Sequence, residues 1–203
     1  KKAEQVFKAA LIQDANYLPS YYSLARVYLA QDKRDKAIQH YRTALDKAPR
    51  QEIPHMMLGI LYSMESESDK AVSHYRKALD INPDFVPAAN NLAYLLAEQE
   101  KDLNEALRIA RKAKKQVPDD PRIQDTLGWV YYKLGLYDEA VREFTDSLEK
   151  LPENAEVQYH LGMTLYKKGN HKRARMALEK VLRMDSDFEK AERVKKVLSE
   201  LEG

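Results

Sequence analysis

The chain has 203 residues, with 34 Lys and Arg against 32 Asp and Glu, so its formal net charge is only +2. An apolar content of 44% supports a hydrophobic core, whereas a charged content of 33% and a mean hydropathy of −0.66 are typical of amphipathic helices with solvated outer faces. This composition offers no large basic field for nucleic acid, no cysteine for disulfides or thiolate chemistry, and no apolar run near the roughly 18 residues of a membrane span.

Self-similarity organises the whole chain. The segments YYSLARVYLAQDKRDKAIQHYRTALDKAP (21–49), HMMLGILYSMESESDKAVSHYRKALDINP (55–83) and QDTLGWVYYKLGLYDEAVREFTDSLEKLP (124–152) align with one another. Their shared period predicts, in chain order, a lone helix over residues 1–17, repeats over 18–51, 52–85, 86–120, 121–154 and 155–188, and a last helix over 189–203. The repeat at 86–120 needs one extra residue, which we place in the loop near Lys101 to Asn104.

Each repeat is predicted to be a pair of helices with a small residue where they cross. In the repeat at 121–154, Gly128 lies opposite Ala140, and two antiparallel helices approach closely only where such small residues meet. The larger Tyr131 and Phe144 then fill the remaining space, and Pro152 ends the second helix. We therefore expect Tyr131 to be a core residue.

The loop between the paired helices differs along the chain. Gly135 and Gly169 occupy this loop in the last two repeats and allow a left-handed helix cap, whereas the first three repeats carry Asp32, Ser66 and Glu100 there. We expect the C-terminal repeats to be locally the more stable.

The first 17 residues are predicted to form a second helix without its first. Ala3, Phe7 and Ala10 fall at the slots of the small and large residues of later second helices. On this interpretation the chain begins within a repeat, and Val6, Phe7 and Leu11 present an apolar strip that another chain covers. Self-association through this end is therefore expected.

Residues 189–203 are predicted to form a capping helix. Ala191, Val194, Leu198 and Leu201 lie on one apolar stripe, but Lys195 and Lys196 occupy the slots where a further repeat needs Leu and Gly. A polar outer face of this kind closes a repeat array.

The repeats resemble the tetratricopeptide repeat (TPR), whose pattern is W-x2-L-G-x2-Y, A-x3-F, P. The matching residues in the repeat at 121–154 are Gln124, Leu127, Gly128, Tyr131, Ala140, Phe144 and Pro152. Departures are Leu96 and Ala110 in place of two aromatics and Ser186 in place of a proline. The resemblance implies an all-α, right-handed superhelical solenoid of antiparallel helix pairs, with about five full repeats, a leading half-repeat and a C-terminal cap in one array over residues 1–203.

The resemblance also implies a ligand groove lined by the first helix of each repeat. In this family the ligand-contacting slots are the second, fifth, ninth, twelfth and thirteenth of each repeat. The residues that we select from these slots are Tyr22, Arg26, Met56, Ile60, Asn90, Tyr94, Asp125, Trp129, Tyr132, Lys133, Tyr159, Met163, Tyr166 and Lys167.

Trp129 is predicted to differ from Tyr131 in the side of the helix that it occupies. A helix turns by about 100° per residue, so Trp129 aligns with Asp125, Tyr132 and Lys133 rather than with the core. We expect an open aromatic patch in the C-terminal half of the groove, with lysines orienting an acidic group of the partner. The alternative is that these rings pack against neighbouring first helices.

The sequence contains no phosphate-binding loop, nucleophile elbow or paired catalytic acid and base. Its histidines never form a His-x3-His pair, so we expect no metal, no cofactor and no enzymatic activity. The basic face of residues 108–115 is interpreted as solvent-exposed decoration.

Two function classes remain. The first is a scaffold that binds a peptide or helix of another protein in its groove. The second is a structural module for self-assembly or assembly of larger machinery, in the style of bacterial TPR proteins of exopolysaccharide or cell-envelope export. The compartment is left between cytoplasm and periplasm, with a lean to the bacterial cell envelope.

Overall fold

A computed structural model describes residues 2–201 and contains twelve α-helices and no strand within them. The helices are α1 (Lys2–Gln13), α2 (Leu18–Leu29), α3 (Arg34–Lys47), α4 (Glu52–Met64), α5 (Ser68–Ile81), α6 (Val86–Glu98), α7 (Leu103–Gln116), α8 (Pro121–Lys133), α9 (Tyr137–Lys150), α10 (Ala155–Lys167), α11 (His171–Met184) and α12 (Ala191–Glu200). Successive helices pair as the repeat predicts. The predicted all-α solenoid class is confirmed.

The helices pack as two compact units, with the boundary between Leu92 and Ala93, inside α6. Unit 1 holds α1 to α5 and the start of α6, and unit 2 holds the end of α6 and α7 to α12. The division of residues 1–203 into one continuous array of repeats stays a prediction.

All five loops between paired helices close with the same backbone hydrogen bond. In the repeat at 52–85 the Glu67 amide donates to the Tyr62 carbonyl over 2.8 Å, and in the repeat at 121–154 the Leu136 amide donates to the Tyr131 carbonyl over 2.9 Å. This is the six-to-one bond of a Schellman cap, which requires the preceding residue to be left-handed. Gly135 has a φ of 75° and Ser66 a φ of 60°.

Non-glycine residues adopt this conformation in the first three repeats. Asp32, Ser66 and Glu100 have φ angles of 54°, 60° and 53°, and Asp102, in the longer third loop, has a φ of 47°. A side chain in the left-handed region costs roughly 1 kcal/mol relative to a right-handed one. The Schellman cap thus forms in these repeats even though glycine is absent from the left-handed position.

The helix crossings are close, but Phe144 rather than the predicted Ala140 lies nearest to Gly128. A Cβ atom added to Gly128 would lie 2.7 Å from the Phe144 ring, and one added to Gly59 would lie 2.5 Å from the Tyr75 ring. Phe144 is fully buried and Tyr131 is 8% exposed, so both are core residues as expected.

An arginine of one second helix caps a tyrosine of the next repeat. Arg111 Nε donates to the Tyr131 hydroxyl over 3.2 Å, and Arg42 donates to the Tyr62 hydroxyl at the equivalent position. Each guanidinium also lies against the ring of its tyrosine. These pairs satisfy the hydroxyl at the rim of the core and join consecutive repeats.

The two outermost helices differ in how much they bury. Val194 and Val197 of α12 join the core cluster of the last repeat, as expected of a cap. No described residue of α1 is buried. Of the predicted apolar strip, Val6 is 63% exposed, whereas Phe7 and Leu11 are half-buried; Ile12, outside that strip, is 87% exposed.

Replacing Ser66 with Gly is expected to raise the free energy of unfolding by about 0.5–1 kcal/mol, because glycine adopts the left-handed cap conformation without strain. Urea denaturation followed by circular dichroism measures the change. Ser63→Gly is the matched control, since Ser63 is an exposed residue inside α4 and the same substitution there should lower stability by a similar amount. Equal effects of the two substitutions would refute the assignment of strain to residue 66.

Candidate binding face

The selected groove residues fall into two sets, because unit 1 and unit 2 divide them. Tyr22, Met56, Ile60 and Asn90 are half-buried in unit 1, and Arg26 is exposed there. In unit 2, Trp129, Tyr159 and Met163 are buried, Tyr94, Asp125, Tyr132, Lys133 and Tyr166 are half-buried, and Lys167 is exposed.

The expectation of an open Trp129 ring is wrong. Trp129 is only 5% exposed, because Tyr132 stacks on it with ring centroids 4.7 Å apart and His160 stacks on it at 4.1 Å. Its indole nitrogen donates to Glu98 Oε1 over 2.5 Å. Because two rings stack on Trp129 and its indole nitrogen is hydrogen-bonded, the side chain packs first helices together rather than facing a ligand.

Tyr159 and Met163 are also closed off, at 3% and 2% exposure. Both lie in the cluster that includes Val194 and Val197 of the cap, and the Tyr159 ring lies 5.5 Å from that of Phe188. Because α12 packs against Tyr159 and Met163, these two residues belong to the core. The predicted continuous aromatic patch is therefore not open at these positions.

A hydrogen bond joins the two helices on either side of α8. The Tyr94 hydroxyl, from the end of α6, donates to Glu156 Oε1 at the start of α10 over 3.1 Å. The Tyr94–Glu156 hydrogen bond therefore connects α6 and α10 on the first-helix face of unit 2.

Besides burial, three carboxylates raise the pKa of Tyr94, and that of Glu156 also accepts a hydrogen bond from its hydroxyl. Burial raises the pKa of Tyr94 well above its ordinary value, and nearby negative charge raises it further. The carboxylates belong to Glu156, Glu98 and Asp125, which we call the acidic cluster. Glu98 and Glu156 are exposed, so the cluster meets solvent.

A buried histidine hydrogen-bonds Asp125 of the acidic cluster. Its Oδ1 atom lies 2.8 Å from His160 Nδ1, and His160 is fully buried. The carboxylate accepts, so Nδ1 carries the proton; no partner for Nε2 lies within residues 2–201. The repeat pattern did not identify His160, because the slot is not one of the family's ligand contacts.

The far side of the face carries tyrosine and lysine. The Tyr166 hydroxyl donates to Glu200 of α12 over 2.6 Å. Lys133 lies 3.0 Å from Glu100 and 5.2 Å from the centre of the Trp129 ring. Lys133 is already paired within the chain, which corrects its predicted role in orienting an acidic partner group.

Tyr132 lies between these two ends. Burial raises its pKa to about 12, and nearby Arg193 of α12 opposes that rise. Arg193 is exposed and belongs to the cap, so the motif-based selection missed it. The first-helix face of unit 2 is therefore acidic near Tyr94 and basic near Arg193.

The selected residues of unit 1 include two buried polar atoms, and exposed apolar side chains lie at neighbouring slots. The Tyr22 hydroxyl and the Asn90 side-chain oxygen are both buried, and residues 2–201 supply no hydrogen-bond partner for either. Burial raises the pKa of Tyr22. Met64 and Ile53, at family groove slots on α4, are 56% and 48% exposed.

Within the described residues, no group of three or more His, Cys, Asp or Glu side chains is arranged to hold a metal ion. The helices in that part of the chain are all too short or too polar to cross a membrane.

Comparisons with known proteins agree with the repeat pattern. Sequence profiles of the tetratricopeptide repeat match residues 126–187 and residues 1–60 and 64–130. A segment of 67 residues is 39% identical to the TPR repeat-containing protein PA4667 of Pseudomonas aeruginosa. That match covers 33% of the chain and only 11% of PA4667.

Solved structures share the fold at low sequence identity. YrrB, described as a TPR protein with an unusual peptide-binding site, is 22% identical with a TM-score of 0.73, over 96% of this chain and 100% of YrrB. The type IV pilus biogenesis factor PilW is 21% identical with a TM-score of 0.75, over 91% of this chain and 90% of PilW. A TPR protein of Parabacteroides merdae is 20% identical with a TM-score of 0.75, over 99% of this chain and 91% of that protein. The match to PA4667 supports a bacterial origin.

Replacing Trp129 with Ala is expected to lower the free energy of unfolding by about 3–5 kcal/mol, because it empties a buried site between two stacked rings. The loss should match that of Tyr131→Ala. Urea denaturation measures both. Lys167→Ala, at an exposed slot of the same face, is the control and should change stability by less than about 0.5 kcal/mol. If Trp129→Ala behaves like Lys167→Ala, the ring is not structural.

Proposed function

Because the chain belongs to the tetratricopeptide repeat family, we propose that it binds a peptide or helical segment of another protein on the first-helix face of unit 2. The family consists of protein-interaction modules, which are generally not enzymes, and we propose no catalytic role. The observation that carries the proposal is the acidic cluster around Tyr94, whose hydroxyl connects α6 to Glu156 of α10.

The charge of this cluster favours a basic partner. Glu98, Asp125 and Glu156 concentrate negative charge beside partly buried aromatic surface, where charges are screened less than in open water. A lysine or arginine of the partner would form charge-assisted hydrogen bonds there, and its aliphatic stem would lie along Tyr94. We therefore propose a partner segment with a basic residue next to an apolar one.

The tyrosines of this face are held in place before binding. Tyr94 is bonded to Glu156 and Tyr166 to Glu200, and Tyr132 stacks on Trp129. Side chains that are already ordered lose less conformational entropy when a ligand binds. The burial of Trp129 thus supports recognition indirectly, because it fixes the exposed edge of Tyr132.

Selection from a library of random 12-residue peptides tests the partner chemistry. Peptides that bind the full chain should be enriched in lysine or arginine, and binding should weaken as salt concentration rises. The double variant Glu98→Gln/Glu156→Gln should bind a selected peptide about tenfold more weakly by fluorescence anisotropy, the loss of roughly one charge-assisted bond. Glutamine retains the oxygens that accept from Trp129 and Tyr94, so the fold is preserved.

Glu149→Gln/Glu179→Gln is the matched control, since both residues are exposed on second helices. This pair removes the same charge and should leave affinity unchanged. Equal affinity of the two double variants, or selected peptides without basic residues, would contradict the proposal.

A second candidate is an assembly role through α1. The helix buries none of its described residues, and Val6 and Ile12 are apolar and exposed. PilW, which shares the fold, is described as a pilus biogenesis factor, and assembly roles are thus represented among similar structures. The feature that favours this role is the apolar surface of α1 itself.

Val6→Ser/Ile12→Ser is expected to abolish self-association of the chain at high concentration, because it removes the apolar surface that a second copy would cover. Sedimentation velocity over a range of concentrations measures the association. Met176→Ser, at a residue of α11 that is 61% exposed, is the control and should leave it intact. A wild-type chain that stays monomeric throughout the range would exclude this candidate.

A further inference from the structure

Two histidines face each other inside unit 1. His55, on α4, is 8% exposed, and His74, on α5, is half-buried. Their Nδ1 atoms lie 3.0 Å apart, with ring centroids separated by 5.2 Å. This distance is that of a hydrogen bond in which one ring nitrogen donates and the other accepts. Only one proton fits between the two rings.

The Pro49 backbone carbonyl favours an N–H on the His55 ring. We infer that this N–H is at Nε2, because Nδ1 of His55 faces His74. On this assignment His55 Nδ1 accepts the Nδ1 proton of His74. Both rings are neutral in this arrangement.

The ring of His74 is enclosed by an aromatic neighbour and cations. Tyr62 of α4 stacks on it with ring centroids 5.4 Å apart, and Arg42 of α3 bonds the Tyr62 hydroxyl. Lys70 of α5, which is paired with Glu67, lies 5.3 Å from the centre of the same tyrosine ring.

His55 lines a cleft of mixed charge. The cleft has a volume of about 720 Å³, and its charged residues are Asp46 of α3, Arg50, and Lys77 and Asp80 of α5. The formal charges of the two acidic and two basic side chains cancel in this cleft. Of these four, Lys77 acts on His55, and it disfavours a positive charge on the ring.

A proton added to His55 Nδ1 would set two N–H donors against each other and remove the hydrogen bond. Burial, then His55 and the cations Lys77 and Arg42, lower the pKa of His74 from 6.5 to about 4, and burial followed by Lys77 lowers the pKa of His55. The unfolded chain thus binds more protons than the folded one between pH 6.5 and about 4. The stabilisation is complete above pH 6.5 and is lost as pH falls through this window.

We propose that the His55–His74 hydrogen bond is a pH-sensitive latch that holds α4 against α5 at neutral pH and releases them on acidification. The two helices form one repeat, so release loosens the packing of that repeat within unit 1. Release of the two helices also separates the ring of Tyr62 on α4 from the ring of His74 on α5, which stack on each other.

Hydrogen exchange of the full chain, followed by mass spectrometry between pH 4 and 8, tests the latch. After correction for intrinsic exchange rates, amides of α4 and α5 should lose protection as pH falls below 6.5, by up to about tenfold per pH unit for one linked proton. In His74→Gln the acid-dependent loss at α4 and α5 should become smaller, because glutamine can donate to His55 and only His55 then titrates. His171→Gln, at an exposed histidine of α11, is the control and should retain the wild-type pH dependence.

The same acid-dependent loss in His74→Gln as in the wild type would overturn the proposal. Nuclear magnetic resonance titration of the wild-type imidazoles provides a second measurement that needs no variant. His74 should stay neutral at pH 6, and His55 should titrate below its ordinary range. An ordinary midpoint near 6.5 for His74 would also overturn the latch.

Discussion

The crossing of the paired helices is the constraint on which the rest of the structure depends. Gly128 has no room for a side chain because the Phe144 ring occupies the position of its Cβ atom, and Gly59 meets Tyr75 in the same way. This contact fixes the spacing of the two helices and so decides which residues of the first helix point away from the second. The candidate binding face consists of those residues.

Packing between first helices then determines how much of that face is open. Trp129 fills the space between α6 and α10 by stacking on His160 and bonding Glu98, and α12 closes over Tyr159 and Met163. The chain thus uses its largest side chains for cohesion. The hydroxyls and carboxylates that remain at the surface are held by bonds between repeats, and this makes the open part of the face polar and ordered.

The repeat period predicts the helices well because each helix pair is determined by local contacts. The crossing glycines, the core position of Tyr131 and the loops that end each first helix all follow from residues within one repeat. The exposure of Trp129 and Tyr159 does not, because it depends on what the next helix places against them. His160 and the valines of α12 supply those contacts, and their slots carry no ligand-binding signature. The left-handed φ of Ser66 shows the reverse case, in which a local preference gives way to the repeated cap geometry.

Histidine has opposite electrostatic surroundings in the two units. His160 is buried against the carboxylate of Asp125, whereas His74 is half-buried against another imidazole and near Arg42 and Lys77. A buried charge is stable only where an opposite charge or a hydrogen-bond partner accommodates it. A positive charge on the His74 ring meets cations and an imidazole, and this is why the proposed acid sensitivity belongs to the repeat in unit 1. The same helix-pair architecture thus places an imidazole pair in one repeat and an imidazole–carboxylate pair beneath the candidate binding face of another.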